Sequence, residues 1–469
     1  MNVKEEESFR DRVATIDESG KRKWIFAYKP SGKFYNARSI LSIFYLILFF
    51  GLPLIKYKGE PFLLLNILER KFVVFGFVFW SQDFYLFGIT MILFVVFIIV
   101  FTVAFGRLFC GWACPQTVFM EMVFRRIEYW IEGDANKQVL LNKMPWNFEK
   151  LRKRGLKLVV FYLVAFLIGN TFLTYIIGFD QWKKIITEPI GLHIKGLIAM
   201  MVFSGVFFFV YTWFREQVCT VVCPYGRLQG VLMDKHSVVV AYDYVRGEPR
   251  GKHKKNEDHS QLGDCVDCGL CVRVCPTGID IRNGTQLECV HCTACIDACD
   301  SIMAKIDKPD GLIRYASEAT IAENQPFKIT ARLKAYIAVL LVLLVIWLSI
   351  LVTRTSVDME VRKVAGQLYQ KRPENKVSNL YNLMILNKSH KEFAHLHIKP
   401  ISHPTAVLEF VGTDGKDLKS PLGKPAQYTF FVVVPLKDLE HRKNTIELGL
   451  YDDDKLVETV KTNLIAPLK

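Results

Sequence analysis

A multi-domain membrane protein is the fold class that the sequence predicts, with a five-helix α transmembrane part, a cysteine-rich α+β insert and an all-β sandwich at the carboxyl end. Three observations carry this. Apolar residues make up 51% of the 469 and aromatics 13%, high for a water-soluble chain. Eight of the twelve cysteines fall between Cys265 and Cys299. Beyond Arg354 the pattern changes to short alternating runs, separated by turn chemistry such as GTDGKD and YDDDK.

The formal charge of +14 is unevenly placed along the chain. It marks membrane topology rather than a groove for phosphates, so no nucleic-acid partner is expected. Met1 to Arg38 is polar and charged, without the pattern of a signal peptide, and the first apolar segment reads as a retained anchor. Residues 40–55, flanked by Arg38 and Lys56, are the first predicted span. Residues 61–80 carry Glu69, Arg70 and Lys71 at their centre. Charge in hydrocarbon costs on the order of 3 kcal/mol, so this stretch is expected at the interface rather than across it. Spans two to five are expected at 84–105, 156–178, 192–214 (with His193 and Lys195 at its edge) and about 336–352.

Lysine and arginine counts set the orientation. Residues 1–38 and 107–155 carry nine each, against four in 56–83 and two in 179–192. The amino terminus and the second connection are therefore expected inside, and with them the cysteine-rich segment. The predicted division is a 1–38 cytoplasmic segment, 39–214 with four membrane helices in two repeats, a 215–335 cytoplasmic insert, a 336–352 fifth helix and a 353–469 outer domain. Six or seven strands in that outer domain, from NLYNLMIL to LVETVKTNLI, predict an immunoglobulin-like sandwich without a Cys…Trp…Cys core.

The insert reads CVDCGLCVRVCP and then, after twelve residues, CVHCTACIDAC. Each half is C-x2-C-x2-C-x3-C, the spacing of a ferredoxin with two 4Fe-4S clusters, in which the fourth cysteine of each half ligates the other cluster. One cluster is assigned to Cys265, Cys268, Cys271 and Cys299, the other to Cys289, Cys292, Cys295 and Cys275. Asp300 stands where a second proline after Pro276 would fall. Zinc would need only four ligands per site and no third cysteine on a two-residue step, so it fits less well.

The other four cysteines form FCGWACPQ (Cys110, Cys114) and VCTVVCPY (Cys219, Cys223), each C-x3-C-P just after an even-numbered span. Helical spacing puts each pair on one face, with Cβ atoms about 5–6 Å apart, better suited to a shared metal than to a disulfide. Pro115 and Pro224 are expected to end or kink the helix just beyond the second cysteine. The matching positions read as an internal repeat, whose four thiols would converge beside the insert on a third cluster or on Cu(I), since soft thiolates select that ion. The alternative is that these cysteines simply pack at helix ends. Glu121, Arg125, Arg126 and Glu128 read as the polar face of an interfacial helix, and the run Arg246 to Lys255 as a solvated loop near anionic lipid. His390, His395, His397 and His403 are weighed as an outer copper site against ordinary surface histidines, which are commoner.

With these residues in view, the chain closely resembles the cytochrome c oxidase accessory protein family, called CcoG, FixG or RdxA. The resemblance runs through GRLFCGWACPQTVF, IEGDANK, PWNFEKL, REQVCTVVCPYGRLQG, YDYVRGEPRG, the whole ferredoxin run, GLIRYASE and NLYNLMILNKS. It implies a protein of a bacterial inner membrane, with its clusters cytoplasmic and its sandwich periplasmic. It also implies reduction of Cu(II) to Cu(I) for assembly of a cbb3-type haem-copper oxidase, with an electron donor upstream and oxidase subunits or copper-delivery proteins downstream. Cys110, Cys114, Cys219 and Cys223 are then the candidate copper ligands. Two alternatives stay open: a membrane subunit that draws electrons from quinol, and a scaffold for oxidase assembly that is not an enzyme.

Overall fold

The computed structural model describes residues 15, 19, 21–57, 59–67, 71–79, 83–252, 261–353, 355, 357–388, 393–415, 417–421 and 425–467. In hydrocarbon every backbone amide must be satisfied within its own segment, so apolar runs become helices. Among the described residues five are long and apolar enough to cross a membrane, and the protein is multi-pass: α1 (Lys33–Gly51), α2 (Phe84–Phe105), α3 (Phe148–Ile177), α4 (Ile190–Phe209) and α5 (Ala331–Val352).

Two of these helices start earlier than hydropathy alone indicates, and each has a cap that explains it. α3 begins at Phe148 because the Asn147 carboxamide accepts the Lys150 N–H at 2.9 Å. α1 begins at Lys33, where the Asp297 carboxylate accepts the N–H groups of Phe34 and Tyr35 at 3.1 and 2.7 Å. α3 and α4 approach closely through small residues, Gly169 lying against Ser204 and Asn170 Nδ2 standing 3.3 Å from Ser204 Oγ. Beside them Phe119, Phe124, Phe161 and Tyr211 form a core, with Phe124 stacked on Tyr211 at 4.4 Å.

The chain forms two compact units, Met1–Pro53 with Gly88–Ile346, and Leu54–Phe87 with Trp347–Lys469. The second differs from the boundaries read from sequence, because residues 54–87 join the carboxyl-terminal domain. Within it the described residues of 61–80 form no membrane-crossing helix but a small sheet. Leu63–Asn66, Lys71–Val74 and Phe77–Phe79 make a three-stranded antiparallel sheet, and Lys71 pairs with Glu60 at 2.8 Å. Glu69, Arg70 and Trp80 lie outside the described residues.

The sandwich has nine strands among the described residues: β1 (Val357–Lys363), β2 (Gln370–Arg372), β3 (Lys376–Asn387), β4 (Phe393–Pro400), β5 (Val407–Val411), β6 (Leu418–Ser420), β7 (Pro425–Pro435), β8 (Lys443–Asp452) and β9 (Lys455–Ile465). One antiparallel sheet runs β5-β7-β3-β1 with β2 on β3, and the other β6-β4-β8-β9. The alternating inward residues meet in one core, where Tyr381 stacks on Phe430 at 5.7 Å and its hydroxyl donates to Asn463 O at 2.8 Å. This aromatic pair fills the centre that a Trp and a disulfide fill in antibody domains. Lys388 is buried in the same unit, with Nζ 2.5 Å from both Asp83 Oδ1 and Asp358 Oδ2. Removing its charge takes a close cation away from two carboxylates at once. Lys388→Met is expected to cost about 3–5 kcal/mol, read as a lower unfolding midpoint of this unit in the full chain.

Candidate metal centres

The insert is framed by the antiparallel pair Val239–Tyr242 and Ile313–Ala316. Its two cysteine halves share one backbone course. Asp267 and His291 stand at φ 49° and 52°, and Gly269 and Thr293 at 64° and 66°, each of the latter opening a helix, Leu270–Arg273 or Ala294–Met303. Left-handed turns on either side of the second cysteine curl each half around its own sulfurs. The result is two cavities. One is lined by Cys265, Cys268, Cys271 and Cys299; the other by Cys275, Cys289, Cys292 and Cys295, with Cys271 between them. This is the crossed grouping expected from the spacing.

Burial pushes the thiols of Cys271 and Cys299 up to about 12 and that of Cys292 to about 11, and it raises Cys289 and Cys295 as well. Left alone, such sulfurs stay protonated. They become thiolates only when a multiply charged metal group takes the protons' place, and four inward sulfurs per apolar cavity suit an iron-sulfur cluster. Among the described residues no group of three or more His, Cys, Asp or Glu is placed to hold a metal ion.

The membrane-proximal motifs repeat each other atom for atom where it matters. Gly106 and Arg215, at equivalent positions after α2 and α4, take φ 54° and 52°. Cys114 N–H donates to Phe109 O at 2.9 Å and Cys223 N–H to Val218 O at 2.8 Å. Here the structure corrects two expectations. The second cysteine of each pair does not share a helix face with the first; it is extended and forms the N-cap of the next helix. Pro115 and Pro224 then open that helix at its first position, where a missing N–H costs nothing. The two motifs are neighbours, with Cys110 and Cys219 packed on one apolar cluster. Cys114, Cys110 and Cys223 all act on Cys219, which burial and these neighbours raise to about 12, and Cys110 is likewise raised to about 12.

The insert is locked onto these motifs. A Cβ on Gly111 would stand 2.5 Å from Val290 O and 2.6 Å from His291 O, so only glycine lets the backbones approach. Arg38, buried at 5% exposure, donates from Nε to Gly111 O at 3.0 Å and from Nη1 to Cys292 O at 2.9 Å. His291 Nδ1 accepts the Arg107 N–H at 3.0 Å; burial holds this ring neutral, well down at about 3. Cys110 and Cys219 pack against the apolar cluster of Val274, Val290, Cys292, Ala294 and Ala298, on which Cys295 also lies. Arg38, Gly111, Asp297 and His291 were not singled out from sequence. An arginine ahead of an apolar run looks like a topology signal, and only the fold shows that it reaches a carbonyl between two cluster cysteines.

Nor do Glu121, Arg125 and Glu128 form a solvated face. Arg125, Glu128, Glu132, Arg215 and Glu216 are each at most 6% exposed. Glu128 accepts from Arg215 Nη1 and Nη2 at 2.7 and 2.8 Å and faces Lys157 at 3.5 Å, while Lys157 pairs with Glu132 at 2.9 Å. Arg125 pairs with Glu121 at 3.2 Å and Arg22 with Glu216 at 3.2 Å. Arg126 binds Tyr35 Oη at 3.1 Å. Arg246 is tied to Asp264 at 2.5 Å rather than lying in a free loop, and residues 253–255 are outside the described ones. In the sandwich His395 meets Asp417 at 2.9 Å, His397 stacks on Tyr451 at 5.7 Å and His403 meets Ser402 at 2.9 Å; His390 lies outside the described residues. These three histidines are engaged separately.

Residues 214–318 match the family described as a 4Fe-4S dicluster domain, residues 87–137 a 4Fe-4S binding domain, and residues 347–467 an IG-like fold at the C-terminal of FixG. With five membrane helices, these define a membrane-bound iron-sulfur electron-transfer protein. Protein RdxA of Cereibacter sphaeroides is 34% identical over 386 residues, 78% of this chain and 80% of RdxA, and its RdxB is 33% identical over 390. The nitrogen fixation protein FixG of Rhizobium meliloti is 35% identical over 317 residues, which span 59% of FixG's own length. The chain belongs to the FixG/RdxA family.

Two outcomes test this geometry. Gly111→Ala is expected to force the insert off the C-x3-C-P motifs, lowering bound iron per chain and the unfolding midpoint together. Glu128 is pushed up by burial but drawn down further by Arg215, Lys157 and Arg125, from 4.5 to about 2. A depressed carboxylate stabilises fully above its unfolded pKa and loses that contribution as pH falls through the folded one. Stability measured between pH 4.5 and pH 2 is expected to fall less steeply in Glu128→Gln than in the parent, from a lower value at neutral pH.

Proposed function

We propose that this chain delivers single electrons to a four-thiol site at the membrane face, where Cu(II) is reduced to Cu(I) for assembly of a cbb3-type cytochrome c oxidase. The observation that carries this reading is the shared apolar cluster in which Cys110 and Cys219 meet Cys292 and Cys295. Cys265, Cys268, Cys271 and Cys299 would hold one 4Fe-4S cluster and Cys275, Cys289, Cys292 and Cys295 the other; when bound, these groups supply one-electron chemistry at low potential.

The chain's own residues do the rest. Cys110, Cys114, Cys219 and Cys223 present four sulfurs to the substrate ion. One electron converts Cu(II) to Cu(I) with no bond of another substrate broken, and soft thiolates retain the reduced ion. Arg38 and Gly111 hold this site against the insert, so the acceptor does not have to diffuse to meet the donor. The positive-inside bias favours a bacterial inner-membrane setting with the amino terminus and insert cytoplasmic and the sandwich periplasmic, where oxidase subunits or copper-delivery proteins are met. Membership in the FixG/RdxA family supports electron transfer directly; copper rests on the thiol chemistry and on the family resemblance.

One observation favours a second reading. The match to a 4Fe-4S binding domain over residues 87–137 includes Cys110 and Cys114, and the four thiols would then hold a third cluster. Iron analysis separates the two, with about eight atoms per chain expected for two clusters and about twelve for three. The direct test reduces purified protein anaerobically and adds substoichiometric Cu(II), following cluster re-oxidation and chelator-captured Cu(I) together. One Cu(I) per electron lost, with clusters intact and Cys110→Ser and Cys219→Ser at least tenfold slower, is the expected result. Equal rates in parent and variants would sink the assignment of copper to these thiols.

A further inference from the structure

Gln229 lies on the helix Pro224–Leu232, which the second C-x3-C-P motif opens, and its side chain is 0% exposed. Its Oε1 accepts a hydrogen bond from Cys110 Sγ at 3.4 Å. Its Nε2, which carries two N–H donors, makes no hydrogen bond of normal geometry, although the Tyr225 hydroxyl is near enough to interact with this amide. A buried amide with both donors unmet costs on the order of 1–3 kcal/mol, and it sits in direct contact with one of the four converging sulfurs.

The orphaned donor has an acceptor once Cys110 ligates a metal. A ligating cysteine is a thiolate, which can accept a hydrogen bond but has no proton to donate to Oε1. A half-turn of the carboxamide exchanges Oε1 and Nε2 without changing the shape of the side chain. The same packing then presents an N–H to the sulfur, so one of the two donors is met, in exchange for the bond that Oε1 accepts from the protonated thiol. Arg107 Nε is also a buried donor without a partner, but its Nη1 and Nη2 are fixed on Leu287 O and Gly226 O, whereas the Gln229 amide already touches the Cys110 sulfur.

We infer that Gln229 is a positioning residue of the four-thiol site, donating an N–H···S hydrogen bond from Nε2 to Cys110 when a metal centre is bound there and so setting that centre's redox poise. The inference rests on a metal centre occupying the four thiols, as in the proposed function. A donor to a ligand sulfur withdraws negative charge, and the reduced form carries more of it, so the bond favours reduction. For the copper reading the consequence is retention of Cu(I) rather than of Cu(II).

The test uses purified full-length protein in anaerobic dye-mediated redox titration, following the four-thiol centre by its own spectroscopic signal. Gln229→Met fills the same space without an N–H, and Gln229→Glu keeps the shape while replacing the NH2 by oxygen. Both are expected to shift the equilibrium of that centre about tenfold toward its oxidised form, about 59 mV for one electron. The signals of the two insert clusters serve as the check of folding in each variant. A midpoint unchanged within about twofold in both, with insert signals intact, overturns the role of Gln229 and leaves the metal centre standing. If Cys110→Ser and Cys223→Ser retain the parent's metal content and spectra, no centre occupies the thiols, and this inference falls together with the reading beneath it.

Discussion

Sulfur buried among apolar side chains cannot carry charge alone, and the redox half of this chain is arranged around that constraint. Twelve cysteines stand in two groups, eight in the insert and four at the membrane face, and burial raises Cys271 and Cys299 in the first and Cys110 and Cys219 in the second. The fold brings the two groups into one apolar cluster. Each group can ionise only by accepting a cationic centre, so filling the sites and completing the packing around them are one event. The tight fit of Gly111 under two carbonyls from the Cys289–Cys292 segment follows from the same need, since any gap there would admit water beside the sulfurs.

Charge compensation for the helices is handled separately, in a second layer. Arg125, Glu128, Glu132, Lys157, Arg215 and Glu216 are buried as a connected set rather than as isolated pairs. Buried ion pairs seldom add much stability over apolar packing, but breaking one leaves an uncompensated charge. Such a set tolerates one geometry. Arg215 supplies a measure of how strongly that geometry is enforced, because it is a bulky residue held at φ 52° to place its guanidinium on Glu128.

Much of this was legible in the chain. Five spans, the crossed cysteine grouping, the neighbouring C-x3-C-P motifs and the sandwich all follow from periodicity and spacing, because hydrocarbon and sulfur each impose a strict local pattern. What escaped the sequence was pairing over long separations. Arg38 and Cys292, Glu128 and Arg215, and Asp83 and Lys388 are each ordinary residues until the partner is known. The prolines misled for a different reason. A proline that cannot continue one helix is equally suited to begin the next, and only the extended backbone of Cys114 and Cys223 decides between the two.

The discontinuous unit built from Leu54–Phe87 and Trp347–Lys469 has a bearing on biosynthesis. Asp83 leaves the ribosome about three hundred residues before Lys388, which at roughly 5–20 residues per second is a delay of tens of seconds. Throughout that interval the lysine against which this carboxylate is buried has not yet been made. The two polypeptide stretches reach a common fold only when translation is nearly over, so a chain that stops short of the sandwich would display an unfinished surface to the proteases that police the membrane.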